Sequence, residues 1–299
     1  VDGFNPELNT INNDSLTILD KWILAKTHLL LENAKDSLDV YRVDKFMKAF
    51  EVYLEELSNW YVRRNRRRFW KTEDDDDKNS AYACLYHVLK NVIKAISPVL
   101  PFAAETIYQN LVRNSEKNSM ESVHLCEYPV PAKKWIDKNL IRNVDALRKC
   151  VELGRSARNT SNLKIRQPLS KVYFAQVDDK IAKFFLENEE IIIEELNVKA
   201  VERITEADKL ISYKIKPNLR TLGQKYGRGL SNIKSFLELG NTSKMVSELQ
   251  KTNFIILDDG AYKLERDDVF IETEATSGFA AASGSGITVG LSLDLSVIF

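Results

Sequence analysis

Three cysteines in 299 residues, at positions 84, 126 and 150, are too few and too widely spaced for a disulfide framework. They fit a reducing cytoplasm, and without a Cys-x-x-Cys pair no cysteine-based zinc site is expected. Histidine is equally scarce. His28, His87 and His124 are scattered, with no partner at metal or catalytic spacing. We read His87 as a helix-face residue and His124 as packing or loop. Excess charge is missing too: Lys+Arg and Asp+Glu number 43 each. The chain as a whole is therefore no basic nucleic-acid binder, and any RNA contact has to come from a local patch. No apolar run reaches the length of a membrane span, and there is no signal-peptide pattern. Carboxylate pairs such as Glu55-Glu56 and Asp258-Asp259 are expected on exposed faces or turns, without the apolar pocket that acid/base work needs. Gly223, Gly227 and Gly229 follow neither the P-loop nor the dinucleotide order.

What is present is a foldable composition, 44% apolar and 29% charged, of a length that suggests two domains. Leu16, Leu19, Ile23, Leu30 and Ala34 recur at helical spacing over 15–39, with Trp22 and Leu29 widening the stripe. Over 42–70, Phe46, Phe50, Tyr53, Leu54, Leu57, Trp60 and Tyr61 share one face. A third helix is predicted over 79–97. Pro98 and Pro101 stop it, and a fourth runs over 101–112. These make a helical bundle. Residues 119–131 read as a short extended piece, and 134–158 as a long helix with Ile136, Leu140, Val144, Leu147 and Val151 inward. The period then changes. Strands are predicted over 171–176, 198–204, 210–215, 254–257, 261–264, 269–274 and 287–295, the fourth and fifth joined as a hairpin by Asp258-Asp259-Gly260. Helices are predicted over 178–195, 219–238 and 242–251, and 275–286 reads as a mobile Ala/Gly/Ser-rich loop. The fold class is mostly α plus α+β: a helical bundle over 1–132, a junction helix and linker over 133–168, and a smaller α+β domain over 169–299. The Val1 start, and an end on Val297-Ile298-Phe299 directly after a strand, lead us to expect a piece of a longer chain.

One stretch carries concentrated charge. Residues 59–71 place Arg63, Arg64, Arg66, Arg67 and Arg68 between the pairs Trp60-Tyr61 and Phe69-Trp70, with Lys71 directly after them. Arg63 and Arg67 share a helix face one turn after Asn59, and Arg64 and Arg68 share an adjacent one. Guanidinium forks suit phosphate oxygens and stack on bases, and exposed rings stack on splayed loop bases. Trp60 and Tyr61 continue the inward stripe and read as core. From the residues alone a second reading is equally open: the cations offset the helix dipole and pair with the acidic run Glu73 to Asp77.

This region resembles the anticodon-binding helical domain of isoleucyl-tRNA synthetases. The resemblance rests on Leu19-Asp20-Lys21-Trp22-Ile23-Leu24 and on the Asn59-Trp60-Tyr61-Val62-Arg63-Arg64-Asn65-Arg66-Arg67-Arg68-Phe69-Trp70 run. It continues through Ser97-Pro98-Val99-Leu100-Pro101-Phe102, Lys164-Ile165-Arg166-Gln167-Pro168-Leu169 and Leu222-Gly223-Gln224-Lys225-Tyr226-Gly227, and Asp2-Gly3-Phe4 is similar to the junction after a catalytic domain. It implies a parent enzyme that attaches isoleucine to tRNA in an ATP-dependent reaction, with ATP and Mg in a catalytic domain that this chain lacks, together with the editing domain. Neither catalytic signature of the class occurs here. No catalytic residue, metal site or cofactor is assigned to this chain.

The resemblance further implies a monomeric cytoplasmic partner of isoleucine tRNA, engaging neither membrane nor DNA. Its anticodon contacts would be Asn59, Arg63, Arg64, Arg66, Arg67, Arg68 and Trp70. A second basic series, Arg148, Arg155, Arg158, Lys164 and Arg166, is expected on the RNA backbone, toward the stem or elbow, or else as a solvated face. The alternatives are a helical protein-interaction module docking an acidic partner, and the same region of a valyl or leucyl relative.

Overall fold

The computed structural model describes residues 4–70 and 76–294, apart from the side chains of Ser243, Gln250 and Thr273. The expectations placed on Lys71, on Glu73, Asp74 and Asp75, on the Asp2-Gly3 junction and on 295–299 lie outside the described residues. The chain forms two compact units, 1–144 and 145–299.

The first unit is helical. Helix α1 (Ile18–Leu38) starts on a reciprocal cap, in which Asp20 N–H donates to the Thr17 hydroxyl and Thr17 N–H to the Asp20 carboxylate. Its inward stripe includes Trp22, Ile23, Leu24 and Leu31, all fully buried. Helix α2 (Val43–Glu55) packs on α1 and runs into a wide π turn (Glu56–Val62), followed by the single-turn α3 (Arg66–Phe69). Helices α4 (Asp76–Ile96) and α5 (Pro101–Tyr108) complete the bundle. Pro101 occupies the first turn of α5, where a missing N–H costs nothing. The expected stripe of α2 is only partly inward: Phe46, Tyr53 and Leu57 are buried, Phe50 is half-buried and Leu54 is exposed. Residues 119–131, expected to be extended, contain a 3-10 turn at Val123–Leu125. Glu56, expected on an exposed face, is buried and ion-paired with Lys26 at 2.8 Å.

Helix α6 (Lys138–Thr160) begins later than its pattern suggested, after a 3-10 turn at Lys133–Trp135. In the second unit, β1 (Leu169–Ala175) is followed by α7 (Asp179–Glu187), α8 (Glu189–Leu196) and β2 (Val198–Arg203). The single helix expected over 178–195 breaks at Asn188. Then come β3 (Ile211–Pro217), α9 (Leu219–Tyr226), α10 (Leu230–Leu239), α11 (Thr242–Thr252), β4 (Phe254–Leu257), β5 (Tyr262–Glu265), β6 (Val269–Ala275), β7 (Phe279–Gly284) and β8 (Ile287–Ser292). One sheet has the order β2-β1-β8-β7, with β1 and β2 parallel and the remaining pairs antiparallel. Two-stranded pairs β3-β6 and β4-β5 flank a separate apolar cluster that includes Leu222, Ile233, Leu237, Leu249, Ile255 and Leu264.

The loop expected over 275–286 is corrected: it contains β7, paired residue by residue with β8. Its small residues are suited to close approach. Ala280 is fully buried, and a Cβ on Gly284 would already touch Leu153 at 3.4 Å. A Cβ on Gly290 of the neighbouring strand would collide with the buried Leu210 side chain. Small side chains therefore serve packing here, although the same composition signals a loop.

Candidate nucleic-acid interface

The basic run is carried by the π turn and α3, and its orientation depends on helical phase. An α-helix turns about 100° per residue. Projected at that step, the inward residues before the turn (Phe46, Tyr53, Leu57) and after it (Asn65, Arg68, Phe69) fall about 90° out of register. The π turn absorbs the difference by taking in roughly one extra residue, with Arg63 N–H reaching back five residues to the Ser58 carbonyl. Both stretches then face α1 and α4. The opposite face presents Asn59, Arg63, Arg66, Arg67 and Trp70, all exposed.

A buried network fixes that face. Asp20 at the start of α1 is fully buried and receives the Tyr61 hydroxyl at 2.6 Å. Arg68 donates through one terminal nitrogen to both Asp20 oxygens, at 2.9 and 3.0 Å, and to the Asn65 side-chain oxygen at 3.0 Å. Its Nε–H reaches Asp77 at 2.7 Å. Burial works against the Arg68 charge, but Asp20 and Asp77 outweigh it and raise its pKa above the ordinary arginine value. Burial, aided by the Asp20 charge, lifts the Tyr61 phenol well above its usual range. The hydroxyl thus remains a donor. Asn65 closes the network by donating to the Tyr61 carbonyl at 3.0 Å.

The two readings of the arginine run therefore apply to different residues. Arg68, expected on phosphate, is committed to internal carboxylates, one of them Asp77 of the acidic run. Arg64 is half-buried. Arg63 donates its Nε–H to the Asn59 carbonyl at 2.8 Å, and its guanidinium carbon lies 5.8 Å from the Trp60 ring centre. Arg66 lies over the Trp70 ring at 3.7 Å, and that indole is 67% exposed. Trp60 and Tyr61 are core, as their place in the stripe predicts. Chemically, this face offers guanidinium forks for phosphates, one exposed ring for stacking and one side-chain amide for a base edge.

The second basic series is not all at the surface. Arg158 is buried, correcting its expected place among the contacts. Its guanidinium donates to the carbonyls of Lys164, Gln167, Leu196 and Asn197. Arg155 is ion-paired with the buried Glu195, and Arg148 with Asp145 at 3.4 Å. Lys164 and Arg166 are exposed.

Sequence reasoning missed Asp20 as the centre of the network, although the Thr17-x-x-Asp20 spacing of a reciprocal cap was available as a signal. It also treated the histidines as unrelated. His28 and His87 lie with ring centres 5.8 Å apart, and His28 Nδ1 accepts the Ala132 N–H at 3.2 Å. Among the described residues, no group of three or more His, Cys, Asp or Glu could hold a metal ion.

The profile of the family described as "Anticodon-binding domain of tRNA ligase" matches residues 20–173, which include the whole basic run and its buried network. Over 293 residues, 97% of this chain, the sequence is 40% identical to an isoleucine–tRNA ligase of Clostridium novyi and 38% identical to one of Clostridium tetani. An isoleucine–tRNA ligase of Chlamydia trachomatis is 34% identical over 98% of the chain. In each case the match spans 28% of the relative's length.

Proposed function

Because this chain belongs to the family of tRNA-ligase anticodon-binding domains, we propose that it reads the anticodon of isoleucine tRNA for an enzyme that attaches isoleucine. The observation that carries this reading is the exposed Asn59, Arg63, Arg66, Arg67 and Trp70 face, held in place by the Asp20–Arg68 pair. Asn59 hydrogen-bonds a base edge, and Trp70, backed by Arg66, stacks on an unpaired base. The arginines take phosphates, which supply affinity while base contacts supply choice. Arg68 takes no part in contact and orients the others. The ATP- and Mg-dependent attachment of isoleucine belongs to the remainder of such an enzyme, acting in the cytoplasm. Among the described residues no helix is long and apolar enough to cross a membrane.

The test is binding of tRNA transcripts carrying the isoleucine anticodon or a replaced one, across a salt series. With four arginines (Arg63, Arg64, Arg66 and Arg67) on loop phosphates, log K falls with log salt at a slope of about −3. Asn59→Ala and Arg63→Ala weaken the isoleucine transcript more than the control. Equal losses on both reduce these residues to contacts that do not discriminate between anticodons. An absence of binding at low salt returns the surface to the alternative of an acidic protein partner.

A further inference from the structure

Strand β3 pairs with β6 on one side, and no strand among the described residues pairs with its other edge. In an antiparallel pair, alternate residues exchange main-chain hydrogen bonds with the residue opposite, and those between them turn their N–H and C=O the other way. The two ends of the ribbon set the phase here. Asn218 N–H donates to the Asp268 carbonyl at 2.8 Å, and Thr276 N–H to the Leu210 carbonyl at 2.9 Å. Both pairs continue the register in which Lys214 faces Glu272 and Lys216 faces Phe270. The even-numbered residues of β3 therefore bond to β6, while Tyr213, Ile215 and Pro217 turn their main-chain groups to the open edge. Among the described residues, no loop or cap main-chain hydrogen bond reaches Tyr213 or Ile215. Pro217 has no N–H to leave unpaired and closes the edge at one end, as proline does on edge strands.

This edge borders a cavity of about 660 Å³, which it shares with Lys234, Leu237 and Glu238 of α10. Those three residues share one helix face. The buried Ile215 and Leu237 give the cavity an apolar floor. An unpaired N–H and C=O on a residue as buried as Ile215 is costly unless a partner arrives. A small apolar ligand would fill the floor and leave that row unpaired. Groups repeating about 6.8 Å apart, at every second residue, are matched by another extended main chain. Charge adds a preference. Lys214, Lys216 and Lys234 line the cavity together with Glu238. Their ion pairs with Glu274, Glu272 and Glu238 are exposed, and the last is loose at 3.9 Å. Such pairs contribute little and exchange readily.

We propose that the open edge of β3 and the neighbouring face of α10 form a docking groove for an extended peptide segment of a partner protein, which joins the β3–β6 ribbon as a third strand. Its main chain pairs with Tyr213, Ile215 and the Pro217 carbonyl. Apolar side chains on alternate residues lie over Ile215 and Leu237, and acidic residues flank them. The groove lies within the second unit, and its assignment is independent of the anticodon reading.

The experiment titrates the whole chain with a short fluorescein-labelled peptide of alternating valine and threonine, flanked by glutamates, and follows amide hydrogen exchange residue by residue. At saturation the Tyr213 and Ile215 amides are expected to slow about tenfold or more, while those of Lys214 and Lys216, already bonded to β6, change little. The same peptide N-methylated throughout, and so without main-chain donors, binds about tenfold or more weaker. K234E, a change at an exposed position, weakens the acidic peptide about two- to fivefold without altering the melting temperature. Equal binding of the N-methylated peptide, or binding without slowed exchange at Tyr213 and Ile215, would mean apolar docking without strand pairing and overturn the proposal. So would an absence of binding at millimolar peptide. Slow exchange at these two amides in the free chain that quickens on dilution assigns the edge to a second copy, and likewise overturns it. A K234E chain that binds the acidic peptide as the parent does overturns the acidic character given to the partner.

Discussion

The Tyr61 hydroxyl donates to Asp20 at 2.6 Å, and through that one bond the helix bearing the arginine run is tied to the first turn of α1, 41 residues earlier. Asp20 receives Arg68 as well, so a single buried carboxylate holds two residues on either side of Arg63. Breaking a buried pair by removing one partner costs roughly 3–5 kcal/mol, because the other charge is left uncompensated. Asp20→Asn is expected to lose about that much in urea unfolding, and Arg68→Ala a similar amount. The double variant should cost clearly less than the sum. Strict additivity would mean that the two side chains do not act as a pair.

Trp70 is expected to matter for binding and very little for folding. Replacing it with alanine removes a stacking surface worth about 1–3 kcal/mol per base, and with it the ring on which Arg66 rests. Its exposure limits the effect on stability to within about 0.5 kcal/mol. Phenylalanine should restore part of the affinity. A Trp70→Ala chain that binds tRNA as the parent does, with an unchanged melting temperature, would remove the stacking role.

Acid should weaken the first unit through His28. Burial, followed by the nearby His87 and Lys134, lowers its pKa from 6.5 to about 4. Between those two values the unfolded chain takes up a proton that the folded chain refuses, so stability is fully present above pH 6.5 and declines as pH falls toward 4. The Ala132 N–H needs an unprotonated Nδ1, which gives the loss a structural cause. In His28→Gln the amide oxygen can accept that N–H without titrating. Melting temperatures recorded from pH 7 to 4 should therefore fall less steeply in the variant, and parallel curves would assign the acid sensitivity elsewhere.

The wide turn makes a prediction about length. Deleting Ser58, which is exposed, should let the segment close to ordinary helical spacing. That would rotate Asn65, Arg68 and Phe69 by about 100° away from their partners. Ser58→Ala should be nearly silent, whereas the deletion should lower the melting temperature and abolish tRNA binding together. A deletion variant as stable as its parent would show that the phase is not set here.

Much of the fold could be read from periodicity. Trp22, Ile23, Tyr53, Leu57, Val144 and Leu147 are inward where their spacing puts them, and the strands around Val172, Val201 and Val289 alternate or run apolar as buried strands do. The failures have physical causes. In the strand at Phe279–Gly284 the small residue Ala280 is fully buried and Gly284 lies against Leu153, and composition alone cannot separate such a strand from a loop. Arg158 and Arg68 look like any exposed arginine in one dimension. What draws them inward is a set of carbonyls in one case and a carboxylate 48 residues away in the other. Trp60 and Tyr61 were assigned correctly because the stripe they continue is local.

The π turn also changes what this helix passes on to its relatives. The exposed side chains of the turn, Ser58 and Asn59, can be exchanged while the surface keeps its aim, provided the buried Tyr61 stays and the residue count between Tyr53 and Phe69 is fixed. The conserved quantity would then be a distance along the chain. Insertions and deletions there should be rarer than substitutions, and a change of specificity should come from new side chains at Asn59 or Arg63 within an unchanged spacing.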